Sequence, residues 1–416
     1  MSLSGALSAA VSALNSQSSA LAIISNNLAN SSTTGYKAST ASFESLLAGE
    51  NSSGGVAVST VANVNAQGLL ATSDVATNVA ISGNGMFVVS DKSDGTGSTY
   101  YTRDGGFSVD SNGYLVSDGY YLEGYPTDAD GNITGGTSAG NLTAIDTNSL
   151  STIASPTTEA SFTANLPADA AVGDSFTSSM EFYNSLGAAE TTNVTWTKTA
   201  DNTWSAAFSD PTLSSDTSTT VGTVTSGAIS VTFNSDGTLA STNPSPATLA
   251  ITSTSGAANS SITLDMGTAG SASGLSQYST GSTTKTVDLE VTKDGIAYGA
   301  LNGISIGDDG AVVASYDNGE TRTIYKIPVA TFANEDGLTG DSGGIYEASE
   351  ASGTATLRLS GSDGAGTVYG GELEQSTTDT NEEFSRMMAA QQAYSGAAQV
   401  MSTANSMFST LIQSIR

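Results

Sequence analysis

Apolar or small residues recur at Met387, Ala390, Tyr394, Ala397, Met401, Ala404, Phe408, Leu411 and Ile415, with gaps alternating between three and four. That repeat is the seam of a coiled coil, narrower than the stripe of an ordinary amphipathic helix. Met387, Tyr394, Met401, Phe408 and Ile415 form a bulky column, while Ala390, Ala397 and Ala404 form a small one that Leu411 closes. A small column lets a partner backbone approach closely. The partner stands at the other end of the chain, where Leu3, Leu7, Ala10, Leu14, Gln17, Leu21, Ile24 and Leu28 repeat with the same alternation. A helix of about 28 residues is about 42 Å long, so the pattern predicts two terminal helices lying side by side as a rod. Both are laced with Ser, Asn and Gly, which are weak helix formers, so their order must come from packing.

Between the helices the period changes to two. After a Gly/Ser-rich connector over 31–75, which carries the alternating run Val56 to Val64, short strands are predicted from Val79 to Tyr125, with Ser111, Asn112 and Gly113 turning a hairpin. The stretch from Ser155 to Gly274 is Thr/Ser-rich and holds both tryptophans, Trp196 and Trp204, on two alternating runs that turn near Ala200 and Asp201. They are expected to face each other across a hairpin, buried inside an inserted barrel or sandwich. The earlier sheet style then returns over Ile304 to Asn334, with turns at Asp309-Gly310 and Asn318-Gly319. The expected fold class is α+β, mainly β. A terminal coiled-coil domain (1–30 and 377–416) and the connector (31–75) enclose a discontinuous antiparallel β domain (76–154 and 275–376), which encloses an inserted β-barrel or sandwich domain (155–274).

Charge changes the picture of the helices. No Asp, Glu, Lys or Arg stands from Met1 through Tyr36 or between Arg386 and Arg416. A helix facing water usually carries charge on its back, and a buried unpaired charge costs several kcal/mol. Uncharged polar backs therefore suit helices surrounded by copies of themselves, whereas an intramolecular helical hairpin explains the spacing and leaves the neutral backs without a cause. The whole chain has 40 acidic against 11 basic residues, a net charge of -29. That argues against nucleic acid, whose binding needs a basic surface. Copies should also repel at low salt, within a Debye length of about 10 Å at 0.1 M.

Cysteine and histidine are both absent, so Ser-His-Asp and Cys-His catalysis are impossible and no thiolate metal site exists. Gly83-Asn84-Gly85 is followed by a strand rather than the helix a pyrophosphate needs, so a tight turn is expected. Asp128, Asp130 and Asn132 hint at a calcium loop, but Gly131 falls at the wrong offset and no bidentate glutamate follows. The expectation is no enzyme, no catalytic residues, no metal and no cofactor. The N-terminus lacks a basic region and its apolar runs are broken by Ser and Asn, which matches neither a cleavable signal peptide nor a membrane span.

The closing words of the first helix, SNNLANSSTTGYK (Ser25 to Lys37), closely resemble the signature of the bacterial flagellar axial proteins, the rod and hook subunits. Within it stand Asn26, Asn27, Leu28, Ala29, Asn30, Thr34, Gly35, Tyr36 and Lys37. The C-terminal FSRMMAAQQAYSGAAQVMSTANSMFSTLIQSIR resembles the matching terminal signature, and segments such as GNGMFVV, GLSQYS and the block from Asp309 to Leu338 resemble hook segments in hook order. Gln392 departs from the family, standing where many members have a basic residue, and Gly396 follows soon after. The resemblance implies a structural subunit of the flagellar hook: a helical homopolymer forming a curved flexible tube, a universal joint that transmits motor torque and encloses the export channel. The implied inter-helix and inter-subunit packing residues are Leu7, Leu14, Leu21, Leu28, Met387, Tyr394, Met401, Phe408, Leu411 and Ile415. Implied partners are other copies, the distal rod protein, the hook cap protein, the hook-filament junction protein and the flagellar export apparatus, with no membrane insertion. The implied location is the extracellular hook, reached without a cleavable signal peptide. The alternatives are a distal rod protein, expected to be much shorter, or a secreted acidic glycan-binding adhesin that would carry Trp196 or Trp204 on its surface.

Overall fold

The computed structural model describes residues 3–46, 55–282 and 284–414, and the chain separates into two compact units. The first comprises Met1–Ser149, Gly303–Ser315 and Thr321–Arg416; the second comprises Leu150–Asn302 and Tyr316–Glu320.

In the first unit, helix α1 (Leu3–Ala29) lies against helix α2 (Thr380–Ser414) and against a two-stranded antiparallel ribbon, β1 (Ser39–Leu46) with β2 (Gly55–Ala62). The connector thus carries paired structure rather than running as bare linker. Asp379 opens α2: its Oδ1 accepts the backbone N–H of Asn381 at 2.9 Å and of Glu382 at 3.2 Å. An acidic cap satisfies donors that the first turn leaves free and complements the helix dipole. By length and composition, Gly5–Ala29 is apolar enough to cross a membrane, contrary to the expectation from its broken runs. The Ala, Leu and Ile between the interruptions outweigh Ser and Asn in the average, as they also do in a helix that packs among others.

The body of this unit is antiparallel. Strand Met86–Ser90 pairs with Thr99–Thr102, with Tyr120–Pro126 and with Val329–Thr331, while Ala311–Tyr316 pairs with Thr321–Lys326. All five residues of Met86–Ser90 are buried, as expected of a strand covered on both faces. Phe87 and Phe107 meet edge-on at 5.8 Å between centroids. The 111–113 turn forms as predicted, with Gly113 at φ 85°. Asp128 Oδ1 accepts the N–H groups of Asp130 and Asn132, so this loop is a self-satisfied turn. Among the described residues no cluster of carboxylates is arranged to hold a metal.

The second unit is a half-barrel of two sheets around one core. Ala189–Ala200 alternates buried and partly exposed positions over most of its length, the period of a strand with one face inward. Its inward residues include Val194 and Trp196, joined by Trp204 and Ala206 from the next strand. Both tryptophans are fully buried, but they do not oppose each other: Trp196 faces Ala206 and Trp204 faces Lys198. The pairing sets them on a diagonal, where Trp196 meets Phe162 and Trp204 meets Phe176. Leu275–Ser276 and Glu290–Lys293 both pair with Glu159–Asn165. This unit therefore reaches beyond the 155–274 span suggested by composition, because its sheet needs strands that return from a segment resembling the other unit's text.

Candidate assembly surface

The seam that α1 and α2 make with each other is built mainly from small residues. Ala10, Ala20 and Ile24 of α1 and Ala390 and Ala404 of α2 are buried. Leu7, Leu14, Leu21, Leu28, Met387, Met401 and Phe408 are half-buried along the flanks, and Tyr394 is exposed. Leu3 and Leu411 are described only in their backbone, and Ile415 lies outside the described residues. Alanine allows close approach of the two backbones, which leaves the longer side chains at the margins with one side uncovered.

A second set of apolar residues faces away from the pair altogether. On α2, Phe384, Met388, Val400, Met407 and Ile412 are each at least half exposed. Between these, Ser385, Thr403, Ser406, Ser409 and Thr410 donate their hydroxyls to the carbonyl four residues earlier. Such back-bonding satisfies the hydroxyl within the helix, so this polar back can be desolvated against another chain at little cost. Gly396 lies inside the continuous helix with nothing near its missing side chain, and Gln392 is exposed. A groove of about 490 Å³ runs beside the pair, lined by Ala20, Ile24, Phe43, Arg386 and Ala390 among others.

The signature residues occupy the root of α1. Asn27 is buried in its last turn: its Nδ2 donates to Ser39 O at 2.7 Å, and its Oδ1 accepts from Ser39 N at 3.0 Å and from the Tyr36 hydroxyl at 3.1 Å. Asn30 donates to Asn26 O and accepts from Thr33, and Thr34 donates to Asp104 at 2.7 Å. Gly35 adopts φ 65° and donates its N–H to Glu374 O at 2.8 Å. Asn26 and Ala29 are exposed, and Leu28 is half-buried.

Lys37 leads into a buried ion cluster that no spacing in the sequence announces. Its Nζ donates to Glu374 Oε1 at 2.6 Å and to Ala66 O, with both charged side chains fully buried. Glu374 Oε1 also accepts from Gly68 N at 2.7 Å, and Oε2 accepts from Arg103 Nη1 at 3.2 Å. Arg103 further donates to Ile81 O and Gly83 O. Burial pushes the Lys37 ammonium below its ordinary range, Arg103 adds to that, and Glu374 opposes it. Burial pushes the Glu335 carboxyl up, against the pull of Arg103, Gly85 N–H and Lys37. Glu335 Oε2 and Arg103 Nε are buried without a hydrogen-bond partner.

The family described as "Flagellar hook protein FlgE/F/G D1 domain" matches residues 80–164, and "Flagellar basal body protein FlaE D2 domain" matches 146–295. "Flagella basal body rod protein" matches 7–37, and "Flagellar basal body rod FlgEFG protein C-terminal" matches 369–414. The flagellar hook protein FlgE of Brucella abortus is 33% identical over 424 residues, covering 99% of each chain. That of Escherichia coli is 33% identical over 420 residues, covering 98% of this chain and 99% of its own. The crystal structure of Helicobacter pylori flagellar hook protein FlgE2 is similar with a TM-score of 0.54 at 14% identity, covering 72% of this chain and 99% of that one. At that identity the likeness speaks for the fold.

Proposed function

The chain belongs to the flagellar hook protein family, and on that premise we propose that it is a structural subunit of the bacterial flagellar hook, polymerising outside the cell into a curved flexible tube. The observation that carries the polymer is the state of α2: five large apolar residues stand exposed on a helix that has no charged residue after Arg386 and that bonds several of its exposed hydroxyls internally. Apolar area of this kind is stabilised by removal from water at about 25 cal/mol per Å². Many copies of the helix pair, packed as an inner tube, cover it.

The tube transmits motor torque as a universal joint, stiff in torsion and compliant in bending, and encloses the export channel. A neutral polar lining passes unfolded export substrates without gripping them. Its partners are the distal rod protein below, the hook cap protein during growth, the hook-filament junction protein above and the flagellar export apparatus, which delivers the chain. The buried state of Trp196 and Trp204 takes away the tryptophan surface on which a glycan-binding adhesin reading rested. Electron microscopy of tubes assembled from the purified chain tests the hook reading. Curved tubes are expected, and straight stiff ones favour a distal rod protein.

A further inference from the structure

Glu374 is the point at which both chain ends are fastened to the sheet body of the first unit. It stands six residues before α2, and Lys37, which it binds, stands eight after α1. Its side chain reaches Lys37, Gly68 N and Arg103, while its own carbonyl accepts from Gly35 N. Neighbouring bonds run in parallel: Thr377 N donates to Tyr36 O, Ala38 N to Thr377 Oγ1, and Gln375 N to Leu69 O. From Tyr36 and Ser39 the chain of bonds continues through Asn27 into the last turn of α1. At the far end Arg103 grips the carbonyls of Ile81 and Gly83 in the strand and turn that lead into the sheet. The main chain from Gly35 to Ser39 is therefore held on one side by Asn27 at the root of α1 and on the other by Glu374 and Thr377, through side-chain and backbone bonds, and Glu374 passes the hold to the sheet through Arg103.

A buried cluster of this kind contributes little to stability compared with a well-packed apolar replacement. What it contributes is direction, because bonds to a carboxylate and a guanidinium accept only a narrow range of angles. We propose that Glu374, acting through Lys37 and Arg103, is a positioning residue that sets the orientation of α1 and α2 on the sheet body, so that every subunit presents its helices at the angle the tube requires. The proposal rests on the hook reading for its last clause only. The orientation itself is measurable in the isolated chain.

The chain has no cysteine, so spin labels placed by Ser19→Cys on the exposed back of α1 and Val109→Cys on an exposed strand report one distance by electron paramagnetic resonance. In the otherwise unaltered monomer a single narrow distance is expected. Glu374→Gln, which keeps the shape and strands two buried cations, should broaden it. The combined Lys37→Met, Arg103→Met, Glu374→Leu variant removes the stranded charge; it should retain its cooperative helix melt, lose the single distance and assemble into irregular polymer. Lys326→Met, which cuts an exposed bridge to Asp309, should change nothing. A narrow distance in the apolar triple variant, or regular tubes grown from it, overturns the proposal. Loss of the cooperative helix melt in both variants overturns it too, since the cluster would then be a folding determinant. Broadened distances in the variants, with a parent chain that itself builds no tubes, would leave the orientation established and refute the hook reading instead.

Discussion

Replacing Gly35 by Ala perturbs the root of α1 at one methyl group. Gly35 holds φ 65°, where an L-residue costs about 1–2 kcal/mol. The added Cβ would lie 2.5 Å from the Arg103 carbonyl carbon and the Asp104 nitrogen, and 2.8 Å from Arg103 O. These are backbone atoms, so no side chain can swing aside, and forced displacement of packed groups costs about 1–3 kcal/mol. The two effects together come to about 2–5 kcal/mol, a large part of the roughly 5–15 kcal/mol that holds a typical domain. The chain supplies its own separate probes. Both long helices lie in the first unit and both tryptophans in the second. Denaturant unfolding followed by far-ultraviolet circular dichroism in the helix band reports the first, and tryptophan emission reports the second. Gly35→Ala should lower the helix midpoint and leave the tryptophan midpoint in place. Gly35→Asn should recover part of the loss, since asparagine tolerates the left-handed region but brings the same Cβ. An unchanged helix midpoint, or equal falls in both probes, would refute the reasoning.

Trp204→Ala should cost the second unit about 3–5 kcal/mol, read from the emission of Trp196. Trp204→Phe should cost far less, because the buried indole N–H has no partner to lose. Glu335→Gln tests the ion cluster by pH: with its carboxyl raised above the ordinary 4.5 by burial, the folded chain holds a proton that the unfolded chain has released. Stability of the first unit therefore falls as pH rises from 4.5 through the raised value, and the glutamine variant should exceed the parent in helix midpoint at neutral pH, with the gap closing in acid. Ala390→Leu with Ala404→Leu overfills the small column at about 1–3 kcal/mol each, and sedimentation should find monomer in conditions where the parent polymerises.

The terminal helices were legible because a heptad repeat is a local pattern, and so was the inward face of the Trp hairpin, which follows from alternation. Which column would be buried was not. The alanine column of α2 sits at the centre and the leucines of α1 at the margin because of where the partner axis runs, which spacing alone leaves open. The diagonal of Trp196 and Trp204 depends on the irregularity between Lys198 and Ala200, a one-residue effect without a sequence sign. Of the ion cluster only Lys37 drew notice, as part of the signature. Arg103, Glu335 and Glu374 are scattered across the chain, and only the fold brings them to one place. Glu374 shows one signal in retrospect: it is an acid inside a strand, Glu372–Glu374, that pairs with apolar Leu70.

The central claim is that the faces left open on α1 and α2 are closed by neighbouring copies. Imaging the polymer of the purified chain at side-chain resolution tests it directly. The terminal helices should form the innermost layer, with Phe384, Met388, Met407 and Ile412 packed against adjacent subunits. A tube in which those residues face solvent, or in which the helices lie on the outer surface, would contradict it.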